Sequence, residues 1–380
     1  MKVINIGLDS LTLDPKSVVA SRNRAYGEMT EQYSVLSPAK ETVIVPLSEK
    51  TTAFGFGGKN KAVQLWSIYR KAASLVKAGM GDVVTTQDTY FLGLLGVILR
   101  EQYNCALEVQ VLGIEKLSFH RRLLLQFVLK RADSIRVLSP RLLKRLVSEF
   151  GIKEDRMVLV PIYVDVSTLG FTVSTTDTHL AQEVAIQNEL FQKEYAHRFN
   201  IVSVNRLVPI KNISMQLQAI ETLCTKFPNI LLHIVGDGPL ETQLKEEIED
   251  RSLGDHVILH GYKSGTQLSP FFTQSDCFVL TSDFEGYGMV IVEAATAGLP
   301  IVMTDVGCAG DVVVNEKSAV IVPPKDVNAF TYALERLIED SSLRGRLKKE
   351  AFLSVANLPS FADVLDKYKA SWEHALENKR

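Results

Sequence analysis

Thr281-Ser282-Asp283-Phe284-Glu285-Gly286-Tyr287-Gly288-Met289-Val290-Ile291-Val292-Glu293-Ala294-Ala295-Thr296-Ala297-Gly298 follows an apolar run that begins at Cys277. A strand ending in a glycine-bearing loop and passing straight into an apolar helix is the turn of a βαβ unit. The first amides of such a helix, at Gly288, Met289 and Val290 behind Gly286 and Tyr287, point beyond the strand and can cradle an anion. Glu293 falls among Val, Ile and Ala, where an unpaired carboxylate is costly to bury. It faces either a polar ligand or a cation on a neighbouring helix. Glu285 stands eight residues earlier, about two turns, so both carboxylates can line one cleft and accept hydrogen bonds from hydroxyls, as on sugars and ribose.

Outward from this stretch the same rhythm repeats. Apolar runs at 201–204, 230–235, 256–260, 277–281, 301–304 and 319–322 read as strands, with helical patterns in every gap but the last. Earlier in the chain, strands are expected at 2–7, 42–46, 82–86, 107–112, 135–138 and 157–160. A helix over 60–77 would bury Ala62, Leu65, Trp66, Tyr69 and Ala73, and another would open at Ser139-Pro140 and stop near Gly151. The expectation is an α/β protein of two Rossmann-like domains facing an interdomain cleft, since ligands of open parallel sheets sit beyond the carboxyl ends of the strands. Residues 1–165 would form the first domain, 166–199 a polar linker running into a helical segment, and 200–360 the second domain. A last helix at 361–378, with Tyr368 and Trp372 in its core face, would return to the first.

The 380 residues, 46% hydrophobic and 23% charged, exclude a disordered or collagen-like chain and suit two domains. Net charge is −2, but residues 1–165 carry 23 basic and 16 acidic side chains, while 166–380 carry 19 and 28. The first half should therefore favour anionic partners. Cys105, Cys224, Cys277 and Cys308 are too scattered for a disulfide framework or a metal site, which fits a reducing cytoplasm. The opening residues lack a secretory pattern, and no later run of ~18 apolar residues could cross a bilayer. A soluble or peripheral protein is expected.

Residues 116–145 hold nine Lys or Arg (Lys116, Arg121, Arg122, Lys130, Arg131, Arg136, Arg141, Lys144, Arg145) against Asp133 alone. Leu123, Leu124, Phe127, Val128 and Leu129 supply an apolar face there, as in helices lying on an anionic membrane surface. A buried helix with a solvated basic edge accounts for the pattern equally well. Nucleic acid is disfavoured, because no aromatic-interleaved basic motif accompanies the cations.

Two further loops carry polar signals. In Ser203-Val204-Asn205-Arg206-Leu207-Val208-Pro209-Ile210-Lys211-Asn212, one diphosphate could bridge Arg206 and Lys211; the alternative is two solvated cations. Gly236 and Gly238 in Val235-Gly236-Asp237-Gly238-Pro239 permit either a close backbone approach to a ligand or a plain tight turn.

Taken together, these segments resemble the donor domain of family 4 glycosyltransferases, which have the GT-B fold and a Glu-x7-Glu hallmark matched here by Glu285 and Glu293. The resemblance covers Asn200 to about Pro324, including Thr304-Asp305-Val306-Gly307-Cys308-Ala309-Gly310-Asp311, and the first half in outline. It implies retaining transfer from a nucleotide diphosphate sugar, such as a UDP-sugar or GDP-sugar, with no further cofactor and no required metal. By position, Arg206 and Lys211 would hold the diphosphate, Glu285 the sugar hydroxyls and Glu293 the ribose. Backbone groups from Tyr287 to Val290 would assist, and Tyr262 and Lys263 would read the base. The cations and helix amides would stabilise the leaving diphosphate electrostatically. The acceptor would be a glycan or a polyprenyl-linked glycan, in cell-surface polysaccharide or glycolipid synthesis, with the protein cytoplasmic or peripheral on the membrane.

The first half departs from the family pattern. Gly7-Leu8-Asp9-Ser10-Leu11 has a single glycine where relatives carry a glycine-rich loop, and Leu112 stands where many have a histidine; His120 is off-motif. Asp9, Ser10 and Asp88 are the acceptor-side candidates, with a helix cap as the rival role for Asp88. These departures keep open a nucleotide-sugar-binding protein or an inactive partner subunit. An epimerase or phosphorylase of the same fold also remains. A glycoside hydrolase pair fits less well beside the phosphate-binding elements.

Overall fold

The computed structural model of the chain describes residues 1–115, 117–165 and 178–379. They divide into two compact units, Met1–Tyr163 with Pro359–Arg380, and Val164–Leu358.

The first unit is an eight-stranded sheet of β1 (Lys2–Ile6), β2 (Gln32–Pro38), β3 (Val43–Pro46), β4 (Thr51–Phe56), β5 (Val83–Thr86), β6 (Ala106–Val111), β7 (Ser134–Val137) and β8 (Met157–Leu159). The order is β3-β4-β2-β1-β5-β6-β7-β8, all parallel except the β3–β4 pair. Its helices are α1 (Val18–Glu28), α2 (Lys61–Lys77), α3 (Phe91–Tyr103), α4 (Phe119–Arg131) and α5 (Pro140–Phe150). Ser139 caps α5 through the Leu142 amide at 3.2 Å, and Gly151 ends it in the left-handed region at φ 63°.

The second unit contains α6 (Thr178–Tyr195) and a six-stranded parallel sheet of order β11-β10-β9-β12-β13-β14. Its strands are β9 (Phe199–Val204), β10 (Ile230–Val235), β11 (Val257–Leu259), β12 (Cys277–Leu280), β13 (Ile301–Thr304) and β14 (Val320–Val322). Interleaved with them are α7 (Ile213–Cys224), α8 (Glu241–Asp250), α9 (Ser269–Thr273) and α10 (Met289–Thr296); α11 (Val327–Glu339) and α12 (Ser341–Ala356) follow. The chain then returns to the first unit as α13 (Phe361–Glu377), whose start is held by a Ser360/Asp363 capping box.

Helices α2 to α5 cover one face of the first sheet, whose core runs from Ile4 and Ile6 through Val84, Leu107 and Val109 to Ile135. α1 and α13 close the other face around Tyr26, Tyr33 and Trp372. Tyr26 stacks on Tyr368 at 4.6 Å between ring centroids and meets Trp372 edge-on. Beneath this cluster lies a polar knot. Glu108, fully buried, accepts from Thr85 Oγ1 at 2.8 Å and from Ser371 Oγ at 2.5 Å. Arg136 Nε lies 3.8 Å from Glu108, and its guanidinium sits 3.8 Å over the Tyr368 ring.

Several expectations need correction. Val43–Pro46 is an antiparallel edge strand, largely exposed rather than buried. Helix α2 buries Ile68, Ala72, Ala73 and Leu75, while Trp66 is exposed, because the buried arc follows positions 68, 72 and 75 rather than the aromatic pair. Of the segment expected as a linker, 166–177 lies outside the described residues. The remainder is largely α6, which belongs to the second unit: Phe191 packs edge-on against Phe271, and Thr266 donates to Glu183 at 3.0 Å. Arg136 is only 2% exposed and does not belong to the basic surface. Lys116 lies outside the described residues.

Glu108→Ala strips buried Arg136 of its carboxylate and Ser371 of its acceptor. It should lower the stability of the first unit by about 3–5 kcal/mol. Both tryptophans, Trp66 and Trp372, lie in that unit. Urea unfolding followed by tryptophan emission therefore reads it, and an unchanged midpoint would show that the pair contributes nothing.

Candidate functional site

The charged loops of the second unit follow β9 and β12, which are neighbours in the sheet, so both emerge at one edge. Lys211 Nζ donates to Glu285 Oε1 at 2.5 Å, with both side chains largely withdrawn from solvent. Ser282 Oγ donates to the same oxygen at 2.6 Å. Among the described residues, that leaves Oε2 of Glu285 free to accept and two of the three ammonium donors of Lys211 free to give.

The loops are joined beneath this pair by buried side chains. Gln216 on α7 donates through Nε2 to Ser203 Oγ and to Thr281 Oγ1, each at 2.9 Å. Thr281 Oγ1 in turn donates to the Lys211 and Asn212 carbonyls, both at 3.0 Å. Asn212, left-handed at φ 47°, starts α7 and donates to Asp283 Oδ1 at 3.2 Å; Lys325 holds the other carboxylate oxygen at 3.2 Å. Ser282, Gln216 and Thr281 were not among the candidates read from sequence. The available signal was a glutamine on the otherwise apolar, buried face of α7.

Helix α10 begins after Gly288, at φ 85°, and no side chain caps it. The amides of Met289 and Val290 thus stand at a helix N-terminus with its partial positive charge. Tyr287 is buried, and its carbonyl accepts from the Cys308 amide at 2.7 Å, bracing the loop against the segment after β13. Gly286 lies within that loop. Burial pushes the Cys308 thiol up to about 12, so it is an inert packing group.

Glu293, half-buried on α10, has no hydrogen-bond or ion-pair partner among the described residues, and burial alone raises its carboxyl above the usual range. No described residue supplies the cation of a neighbouring helix that would have accounted for it. Arg206 is exposed and has no partner among the described residues.

Gly236 has φ 140°, and a side chain there would collide with the Asn205 carbonyl. The turn therefore brings the β10 loop hard against the Arg206 loop. The Gly236 amide also donates to the Gly261 carbonyl at 2.9 Å, which draws in the loop carrying Tyr262 and Lys263. Tyr262 presents an exposed ring. Gly238 likewise abuts the Leu207 carbonyl.

Of the acceptor-side candidates, Asp9 and Asp88 each accept from backbone amides at the start of a helical turn. Asp9 accepts from the Leu11 amide at 2.9 Å, starting the short 3-10 turn that contains exposed Ser10. Asp88 accepts from the Tyr90 and Leu92 amides at 2.9 and 3.1 Å and so initiates α3. Leu112, just beyond β6, is exposed and offers no titratable atom.

Residues 187–353 match the family model described as glycosyl transferases group 1. Among curated proteins the chain is similar to alpha-D-kanosaminyltransferase of Streptomyces kanamyceticus, 28% identical over 40% of this chain and 39% of that protein. It is also similar to a GDP-mannose-dependent phosphatidylinositol monomannoside mannosyltransferase of Mycolicibacterium smegmatis, 31% identical over 37% and 38%. The chain thus spans about two fifths of the length of these relatives. Among solved structures, sucrose-phosphate synthase of Thermosynechococcus elongatus superposes with a TM-score of 0.78, at 18% identity, covering 99% of this chain and all of that one. Anabaena HepE in complex with UDP gives 0.76, at 16% identity over 98% and 100%. The fold is GT-B.

Glu293→Gln tests the unpartnered carboxyl. A carboxyl raised on folding favours the folded state below its ordinary value of 4.5 and loses that advantage as pH rises through the raised value. The substitution should therefore raise the melting temperature at pH 7, with the gain vanishing below about pH 4. A melting temperature unchanged at neutral pH would mean that the carboxylate is well solvated.

Proposed function

We propose that this chain, whose residues 187–353 belong to the group 1 glycosyl transferases, transfers a sugar from a nucleotide diphosphate sugar to a hydroxyl of a glycan or lipid-carried acceptor. The observation that carries this reading is the Lys211–Glu285 pair at 2.5 Å beside the uncapped start of α10. It places cationic donors and helix amides next to a carboxylate with one oxygen to spare.

As the bond between sugar and phosphate breaks, negative charge grows on the departing diphosphate. Lys211, exposed Arg206 and the amides at Met289 and Val290 supply donors for that charge without proton transfer. Glu285 Oε2 accepts from a sugar hydroxyl, and Glu293 accepts from the ribose hydroxyls, which supply the partner it lacks. Tyr262 offers a flat face to the base, with Lys263 beside it. We read the transfer as retaining and independent of a metal, and place it at the cytoplasmic face of a membrane reached through 117–145. No described helix is long and apolar enough to cross a bilayer.

One observation favours a second reading, a nucleotide-sugar-binding subunit without turnover: Leu112 gives the end of β6 no acid, base or hydrogen-bonding side chain. Release of nucleoside diphosphate on supply of donor and acceptor separates the two.

Calorimetry with UDP, GDP and ADP should find one that binds, and Lys211→Ala should weaken it about tenfold to a hundredfold. Glu285→Ala should suppress turnover about a hundredfold or more while the folded protein still binds the nucleotide. Unaltered nucleotide affinity in Lys211→Ala would remove that residue from the site.

A further inference from the structure

Two histidines are packed into the second unit beside the loop that carries Tyr262 and Lys263, and the transfer chemistry makes no use of them. His233 on β10 is fully buried, and His260 is the last residue before Gly261. Their rings stack at 5.2 Å between centroids, with His233 Nδ1 and His260 Nε2 3.0 Å apart. On its other side, His233 Nε2 lies 3.0 Å from Asn200 Oδ1. Asn200 donates both amide protons, to the Tyr195 and Arg198 carbonyls at 3.1 and 3.2 Å, so the oxygen facing His233 only accepts.

This arrangement fixes the proton on each ring. Burial pushes His233 down to about 3 and His260 down to about 4, so at pH 7 both are neutral and each carries one N–H. His233 gives its proton from Nε2 to Asn200, which leaves Nδ1 bare to accept from His260 Nε2. The hydrogen bonds therefore run one way, from His260 through His233 and Asn200 to the end of α6. Aromatic packing follows the same path: Tyr195 meets His233 edge-on at 4.8 Å, and Phe271 of α9 meets His260 edge-on at 4.6 Å.

The far end of the loop is tied to the same helix. Thr266, in the 3-10 turn Gly265–Leu268, is largely buried and donates from Oγ1 to Glu183 of α6 at 3.0 Å. Residues 261–265 thus leave from one side chain linked to α6 and arrive at another. Between them, Gly261 turns the chain at φ 67°, and its carbonyl accepts from Gly236, which abuts the Arg206 loop. The Tyr262 ring is 67% exposed. It has no core packing to hold it, so the loop ends set where it stands.

We propose that His260, His233 and Thr266, backed by α6, are positioning residues for nucleoside-base recognition and act on it through Tyr262 and Lys263. The proposal rests on the transfer reading, which puts the base on that loop, and deepens it by naming what sets the affinity for the base.

UDP, GDP and ADP are titrated into the full chain, with inorganic pyrophosphate as the probe that lacks a base. The nucleotide that binds the native chain should bind His260→Ala and Thr266→Val about threefold to tenfold more weakly, the effect of one lost buried hydrogen bond. Pyrophosphate affinity should not move in either. His260→Gln keeps an N–H donor where His260 Nε2 stands and should restore most of the nucleotide affinity. A side chain that only stabilised the unit as a whole would weaken both ligands alike and would not be rescued in this way. If circular dichroism shows that His260→Ala does not fold, Thr266→Val, which keeps the side chain's shape, decides alone. Equal losses for nucleotide and pyrophosphate, or unchanged nucleotide affinity in the folded variants, overturn the inference while the transfer reading stands. A native chain that binds none of the three nucleotides overturns that reading and the inference with it.

Discussion

The ion pair between Lys211 and Glu285 holds the second unit's chemistry in register. Each partner comes from a different loop, and loops at the end of a parallel sheet have no ladder to fix their separation. Here the separation is set by Gln216, which bridges hydroxyls at the ends of β9 and β12, and by Thr281, which grips the Lys211 backbone. Because these groups are buried, the lattice is strong only as a whole: removing one member leaves others unpaired, at about 1–3 kcal/mol each. The ammonium is thereby aimed before any ligand arrives, which is what electrostatic catalysis needs from a scaffold.

Glu293 shows the opposite arrangement. Where Glu285 is held by two donors, Glu293 has none among the described residues, and its burial is unfavourable to the folded protein at neutral pH. On the function proposed above, a carboxylate kept in that state would receive a ligand that brings its own donors. The two members of one sequence motif thus do different physical work, one fixed in advance and one left open.

The loops after β9, β10 and β12 were legible in the sequence because glycine, proline and charge interrupt strongly apolar runs there. The first unit was less so. Strands β2 and β4, reading Gln-Tyr-Ser-Val-Leu-Ser-Pro and Thr-Thr-Ala-Phe-Gly-Phe, mix small polar residues into buried positions and give no continuous apolar run. Trp66 was placed on the packing face by its spacing from Ala62, Leu65, Tyr69 and Ala73, yet the buried arc runs instead through Ile68, Ala72, Ala73 and Leu75. Asp88 was read both ways, and in the structure its carboxylate accepts from the Leu92 amide in the first turn of α3. Charge counting along 116–145 could not tell Arg136, sealed under Tyr368, from Arg131 on the surface. Only the register of β7 makes that distinction.

The return of α13 has a consequence for how the polypeptide is made. The second unit is one uninterrupted stretch, so it can complete itself as it leaves the ribosome. The first unit cannot. Its sheet is synthesised early, but Ser371, Tyr368 and Trp372 emerge only after the whole second unit. Until they do, Glu108 and Arg136 lack their cover and the part of that sheet face not under α1 stays open to water. Until α13 is made, the nascent chain therefore carries exposed apolar surface of the kind that invites misassembly.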